Sequence, residues 1–222
     1  MIRTFRATTT AWHLSLRAIR LLLISKESDI DRLGNSAINL NIIQNLAAAV
    51  EGSTRSLLIN HIEYSNYNKD AYKNVDLKLK SIIDFTLLSL YKKSWSELIV
   101  LSNQLFPTKL KDYYSGDFRT ISNLFQLRNV TANGGVIIKK IDKIPNNPEL
   151  GYNSDEYTVD FDNKKQLTKY LLDEKLIASS ILKQIEFWDY FNDDVTNHFR
   201  QASFNFINQA VSYTHPEPTR PY

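Results

Sequence analysis

The residues best suited to chemistry lie in the segment 127–134, whose sequence is LRNVTANG. Arg128 follows Phe125 by three residues and precedes Ala132 by four, so on a helix it shares their apolar face. A guanidinium there is costly unless it is paired or lies at a cleft, and its planar fork of donors suits a phosphate. Asn133 begins an Asn-Gly-Gly sequence that is also typical of a helix terminus. The segment therefore predicts either a phosphate site or an arginine that is paired inside a helical bundle.

A second charged group follows the apolar run 46–50. Glu51 comes directly after this run, and Arg55 lies one helical turn further on, at a spacing that permits an ion pair. An ordinary pair on a helix surface has the same spacing. The pattern therefore leaves open whether the two residues have a structural role or belong to a site.

Apolar residues recur at helical spacing along most of the chain, which predicts a mainly helical protein. The first five predicted helices cover about 8–25, 36–64, 71–91, 95–105 and 117–133. The second of these is apolar on two sides, which is typical of a helix at the centre of a bundle. In the third, we expect Ile82 to face inward. A further helix is expected to include Leu167 and Ile177, and an unbroken final helix to run from Ile181 to Phe206.

The period of the pattern changes between residues 136 and 162. Tyr157, Val159 and Phe161 alternate with polar residues, which is typical of a strand, and a connection rich in Pro and Asn precedes them. We interpret this segment as a β-hairpin inserted before the C-terminal helices. The predicted fold class is all-α, a helical bundle with this insertion, in a single domain over 1–222 that ends in an extended tail at about 214–222.

Composition excludes several classes of protein. The chain has 222 residues, of which 43% are hydrophobic and 23% charged, so a disordered or fibrous protein is not expected. Because cysteine is absent, a disulfide scaffold, a thiolate metal site and a cysteine nucleophile are excluded. Lys and Arg number 27 against 24 Asp and Glu, which argues against a protein that binds nucleic acid by net charge alone.

The sequence also bears on location. No apolar run approaches the length of about 20 residues that a membrane span needs, and no secretory signal is evident near Met1. The first 26 residues contain five cations and no acid, as transit peptides do, but we interpret them as the first amphipathic helix of the domain. We expect a cytoplasmic protein with no membrane contact, no cofactor and no bound metal.

The segment 127–134 resembles the signature of HEPN domains, the "higher eukaryotes and prokaryotes nucleotide-binding" superfamily. In that family an Arg, commonly followed by Asn, precedes a His by four to six residues, and Gly often follows the His. Arg128, Asn129 and Gly134 fit this pattern. Asn133 is the departure, because it occupies the position of the family's His.

The resemblance extends beyond the motif, since a long early helix of the family often carries a Glu in an apolar run, as Glu51 is here. The resemblance covers about residues 8–135 and 165–210. The resemblance implies a bundle of four to five helices and a metal-independent endoribonuclease. A homodimer would bring two motifs into one site, in a prokaryotic toxin or antiviral defence setting.

The resemblance also implies roles for single residues. Arg128 would stabilise the charge that develops on the phosphate, Asn129 would position the phosphate or hold Arg128, and Glu51 would orient Arg128. Further RNA contacts are predicted for Arg55, Lys139 and Lys140.

Asn133 decides the chemistry, because an amide does not titrate near neutral pH and cannot transfer a proton. Three explanations are compatible with it. The protein is a degenerate member that binds and does not cut, or it is a variant inactivated by a His-to-Asn change, or another group transfers the proton. His61 and His198 are the candidates for that group.

We therefore expect an endoribonuclease that is impaired as written, with RNA, a second copy and an antitoxin or defence-system protein as partners. The alternative is a non-catalytic dimeric module that binds RNA, a nucleotide or a partner protein. A third interpretation is a helical structural protein in which Arg128 is buried against a carboxylate such as Glu51.

Overall fold

A computed structural model of the chain describes residues 12–26, 30–66, 77–106, 109, 116–132, 139–143, 157–161, 165–179 and 188–214. Their elements, in chain order, are α1 (Trp12–Ser25), α2 (Arg32–Asn66), α3 (Leu77–Leu90), α4 (Trp95–Leu105), α5 (Phe118–Ala132), β1 (Lys139–Lys143), β2 (Tyr157–Phe161), α6 (Lys165–Asp173), a 3-10 helix (Trp188–Phe191) and α7 (Asp193–Thr214). The predicted helical fold class is confirmed. None of these helices is long and apolar enough to span a bilayer. The tail predicted beyond Thr214 lies outside the described residues.

Helix α2 is the centre of the structure, as its apolar pattern predicts. It packs against α1, α3, α4, α5, the 3-10 helix and α7. Ile42, Ile43, Leu46 and Val50 have no exposed surface, so one helix supplies much of the core. At Gly52 a Cβ atom would lie 2.7 Å from the Cβ of Trp12, so the absence of a side chain there permits the close approach of α1.

A polar network joins the end of α1 to α2 and α7. The buried Asn39 amide donates to the Phe191 carbonyl at 2.8 Å and to Asp193 Oδ1 at 2.8 Å. Its oxygen accepts from Lys26 Nζ at 2.7 Å, and Lys26 also pairs with Asp193. The hydrogen bonds from Asn39 and then Lys26 hold the pKa of the Asp193 carboxyl below its ordinary value.

Helix α2 starts earlier than the sequence pattern predicts. It begins at Arg32 and contains Gly34, whereas we expected a break there and a start near residue 36. The Gly34 N–H donates to Asp31 Oδ1 at 2.7 Å. This side-chain acceptor satisfies a donor at the helix start and offsets the low helix propensity of glycine.

The C-terminal helices are shorter than predicted. Helix α6 ends at Asp173, so Ile177 lies beyond it, and the left-handed backbone of Lys175, with φ 58°, accompanies that ending. The predicted unbroken helix from Ile181 to Phe206 is also wrong. Asn192 separates the 3-10 helix from α7, where its Oδ1 accepts the Val195 N–H at 2.8 Å as a helix cap.

The two strands lie within the segment 136–162, where the sequence alternates with a period of two. Strand β1 pairs with β2 in antiparallel fashion, with Lys139 opposite Phe161 and Lys143 opposite Tyr157. The pair follows α5 in the chain and precedes α6.

Replacement of Asn39 tests the polar network. Asn39→Leu conserves the shape of the side chain but removes the hydrogen bonds to Lys26, Phe191 and Asp193. We expect the free energy of unfolding, measured by urea denaturation, to fall by about 2 kcal/mol. Asn41→Leu is the matched control, because Asn41 is exposed on the same helix, and its expected effect is below about 0.5 kcal/mol. Equal losses in the two variants would contradict this role for Asn39.

Candidate functional site

Helices α2 and α5 bring Glu51 and Arg128 together although 77 positions separate them in sequence. Val50 on α2 and Leu127 on α5 precede the two charged residues and are fully buried. Apolar packing between these helices thus places Glu51 and Arg128 at the edge of the core. The spacing of residues in the sequence could not predict the contact between Glu51 and Arg128, although the family resemblance implies it.

The Glu51 carboxylate bridges two arginines. Its Oε2 accepts from Arg128 Nη2 at 3.1 Å, and its Oε1 accepts from Arg55 Nη2 at 2.7 Å. The exposed fraction of the side chain is 21% for Glu51, 20% for Arg55 and 28% for Arg128. All three side chains are partly exposed, so the cluster of Glu51, Arg55 and Arg128 is accessible from solvent.

Arg55 connects this centre to the end of α3. Its Nε donates to the Leu90 carbonyl at 2.9 Å, and its Nη2 donates to the Lys93 carbonyl at 3.0 Å. These bonds satisfy carbonyls at a helix C-terminus and fix Arg55 beside Glu51. The sequence predicted the pair with Glu51 but not the two carbonyls. That Arg55 also contacts RNA stays a prediction.

Two stacked aromatic rings lie next to the Arg128 guanidinium. Its Cζ lies 5.3 Å from the centroid of the Phe125 ring, within range of a cation–π interaction. Phe125 in turn stacks on Trp95, with ring centroids 4.4 Å apart and planes 7° apart. The core thus limits the positions that the guanidinium can adopt. The spacing of three residues between Phe125 and Arg128 is the sequence signal for this contact.

The structure describes the other predicted site residues only in part. Asn129 is exposed and follows Arg128 on α5. Asn133 lies outside the described residues, since α5 is described as far as Ala132. Lys139 and Lys140 belong to β1, but their side chains lie outside the described part of the structure. The structure therefore brings Glu51, Arg55 and Arg128 together, and Asn129 is the next residue after Arg128 on α5.

Neither candidate histidine belongs to this cluster. His198 Nε2 lies 2.7 Å from the Tyr170 hydroxyl, which in turn lies 2.8 Å from Thr120 Oγ1. Thr120 precedes Arg128 by eight residues on α5, about 12 Å along the helix axis. Burial lowers the pKa of His198, so the neutral imidazole is favoured. His61 packs on the Phe106 ring, with centroids 4.4 Å apart, and lies ten residues beyond Glu51 on α2, about 15 Å along the axis.

Comparison of the chain with protein-family models, with curated proteins and with solved structures finds no significant match. Among the residues that the structure describes, no three His, Asp or Glu side chains lie close enough together to hold a metal ion. A paired, aromatic-supported and partly exposed arginine can bind an anionic oxygen without rearrangement of the core.

Double-mutant cycles test the bridge. From Glu51→Gln, Arg55→Met and Arg128→Met, alone and in pairs, we expect coupling of about 1–2 kcal/mol for Glu51 with Arg55 and about 0.5–1 kcal/mol for Glu51 with Arg128. The first value is larger because that bond is shorter and the backbone carbonyls hold Arg55 in place. Urea denaturation of each full-length variant measures the coupling, and both values should fall at high salt. A coupling near zero between Glu51 and Arg128 would contradict the geometry.

Proposed function

We propose that this protein is a HEPN-like endoribonuclease whose site is built around Arg128 and is impaired as written by Asn133. The observation that carries the proposal is the Glu51 carboxylate, which holds the guanidinium of the motif arginine at the protein surface. A guanidinium held in this way requires little reorganisation when it meets a phosphate, which is the condition for electrostatic stabilisation of a transition state.

In this proposal Arg128 binds a non-bridging oxygen of the scissile phosphate and stabilises the charge that develops there. Asn129, the next residue on α5, is exposed, and in this proposal its amide donates to the same phosphate. The 2′-hydroxyl of RNA attacks the phosphorus and the bond from phosphorus to the 5′-oxygen breaks. A group at position 133 with a pKa near neutrality would accept the hydroxyl proton or donate a proton to the leaving 5′-oxygen. Asn133 cannot do so, because its amide does not titrate in that range.

Exposed apolar residues support the homodimer that belongs to this proposal. Helix α3 exposes 60% of Ile82, 73% of Phe85 and 58% of Leu88, and Tyr91, the residue after the helix, is 54% exposed. Ile82 therefore faces solvent, and the prediction that it faces inward is wrong. Aromatic and aliphatic side chains in such a patch are typical of a protein interface. Arg55 ties the end of α3 to Glu51, so this patch lies on a helix that ends at the cluster of Glu51, Arg55 and Arg128.

A second candidate function is a non-catalytic dimeric module that binds RNA, a nucleotide or a partner protein. The residue at position 133 favours it, since the sequence retains the phosphate-binding Arg128 but not a titratable partner. In both cases we propose a cytoplasmic protein of a prokaryotic toxin–antitoxin or antiviral defence system, in which an antitoxin or another component is the protein partner.

RNA cleavage tests the proposal. We expect Asn133→His to cut single-stranded RNA in the presence of EDTA, at a rate about 100-fold or more above that of the chain as written, because general acid–base catalysis contributes at least this much. Addition of Arg128→Ala should abolish the gain. Gel analysis of a labelled RNA measures both rates.

Arg119→Ala in the same background is the matched control. Arg119 lies on the same helix but stacks over the Tyr170 ring at 5.0 Å, away from Glu51, so cleavage should persist. If the folded Asn133→His protein cuts no RNA, or if loss of Arg119 is as harmful as loss of Arg128, the catalytic proposal is wrong.

Replacement of apolar residues on α3 tests the dimer. We expect the full chain to sediment with twice its monomer mass of 25.7 kDa and Phe85→Ser/Leu88→Ser to sediment as a monomer. The reason is the loss of apolar area, and both residues are exposed in the single chain, so its fold should persist. Val100→Ser is the control, since Val100 is also exposed but lies on α4. A wild-type monomer at micromolar concentration would contradict the dimer.

A further inference from the structure

Helix α1 has two apolar faces, of which only one is used in the fold. The inner face packs against the core through Ile19, which is 1% exposed, and through the partly buried Trp12, Leu16 and Leu23. The outer face exposes 72% of Leu14, 56% of Leu21 and 54% of Ile24. A solvent-facing side of a helix normally carries polar residues, so this second apolar stripe needs an explanation of its own.

Arginines lie within and beside this outer stripe. At about 100° per residue, Arg17 projects between Leu21 and Ile24, and Arg20 lies about 40° beyond Ile24. Both arginines are exposed. The sequence before α1 adds Arg3 and Arg6, and no acidic residue occurs before Glu27. The surface of α1 is therefore apolar and cationic at once, although the whole chain carries a net charge of only +3.

From this pattern we propose that the outer face of α1 is a docking surface for an anionic lipid bilayer. Leu14, Leu21 and Ile24 would enter the boundary between headgroups and acyl chains, and Arg17 and Arg20 would contact the phosphates above them. The inner face stays on the core, so the helix lies flat on the bilayer and does not cross it.

The observations favour a bilayer over an acidic protein or a second copy. The exposed apolar residues of this stripe are leucine and isoleucine. Leucine is under-represented among the residues that dominate protein interfaces, whereas it is typical of the membrane-facing side of an interfacial helix. A second copy would bring the arginines of the two faces together, and like charges oppose such a contact. A layer of anionic headgroups presents negative charge at every point of a plane, so it can contact Arg17 and Arg20 at the same time.

The docking surface is independent of the proposed ribonuclease. The expectation of no membrane partner was based on the absence of an apolar run long enough to span a bilayer, whereas adsorption needs only an amphipathic surface. Neither Glu51 nor Arg128 is part of the docking surface.

Vesicle sedimentation of the full-length chain tests the proposal. We expect binding to vesicles of phosphatidylcholine and phosphatidylglycerol in equal parts, weakened by salt, and little binding to pure phosphatidylcholine. Arg17→Glu/Arg20→Glu should lower the partition onto anionic vesicles by about tenfold or more. Leu14→Gln/Leu21→Gln should lower it by about tenfold, because the aliphatic contacts are lost.

Matched controls separate this surface from general effects. Lys165→Glu/Lys169→Glu makes the same change of charge at exposed positions of α6, and Val100→Gln removes an exposed aliphatic side chain from α4. Both should bind vesicles as the wild type does. Circular dichroism and sedimentation velocity establish the fold and mass of each variant, and Arg17→Gln/Arg20→Gln replaces the charge reversal if that variant does not fold.

Any of four outcomes would overturn the proposal. The first is a folded wild type that does not bind anionic vesicles, in which case an acidic protein becomes the occupant to examine. The second is equal binding by the α1 variants and the wild type, and the third is a loss of binding in the α6 control as large as theirs. The fourth is a change of oligomeric mass in the α1 variants, which would assign this face to a second copy of the chain.

Discussion

The Glu51 carboxylate is the group on which the charged cluster of Glu51, Arg55 and Arg128 depends. Without it, the guanidinium groups of Arg55 and Arg128 would repel each other beside a core that offers little water to screen them. With it, each oxygen accepts from one arginine, at 2.7 and 3.1 Å. Because Arg55 also holds two carbonyls at the end of α3, three helices meet at one charged centre. The same contact that stabilises the packing fixes the direction of Arg128.

Helix α2 makes this centre possible because it packs against most of the other described elements. Its apolar residues fill the core, its Gly52 admits α1, and its Asn39 binds the start of α7. Glu51 therefore lies on the central helix of the structure, whereas Arg128 is near the end of α5, and both side chains keep some exposure. A rigid carboxylate that holds a more accessible arginine is a suitable arrangement for a site that must receive an anionic ligand.

Much of the helical fold could be predicted from apolar periodicity, because the helices of a bundle must bury a stripe. The start of α4 was also predictable, since Glu97 accepts from the Ser94 backbone N–H at 2.7 Å, as a capping box does. The errors occurred where one side chain outweighs the pattern, as Asn192 does when it caps α7 and ends the apparent periodicity. Ile82 was placed wrongly because two apolar faces on one helix leave its rotation undetermined. In the site, local spacing predicted the pair of Glu51 and Arg55, but the contact with Arg128 depends on tertiary packing.

The most direct test of the central claim is a crystal structure of full-length Asn133→His with a 2′-O-methylated RNA, which cannot supply the nucleophilic hydroxyl. In this complex we predict a phosphate oxygen at about 3 Å from the Arg128 guanidinium. We also predict that Glu51 still lies between Arg55 and Arg128 in that complex. RNA bound away from Arg128, or an Arg128 that has turned from Glu51, would contradict the account.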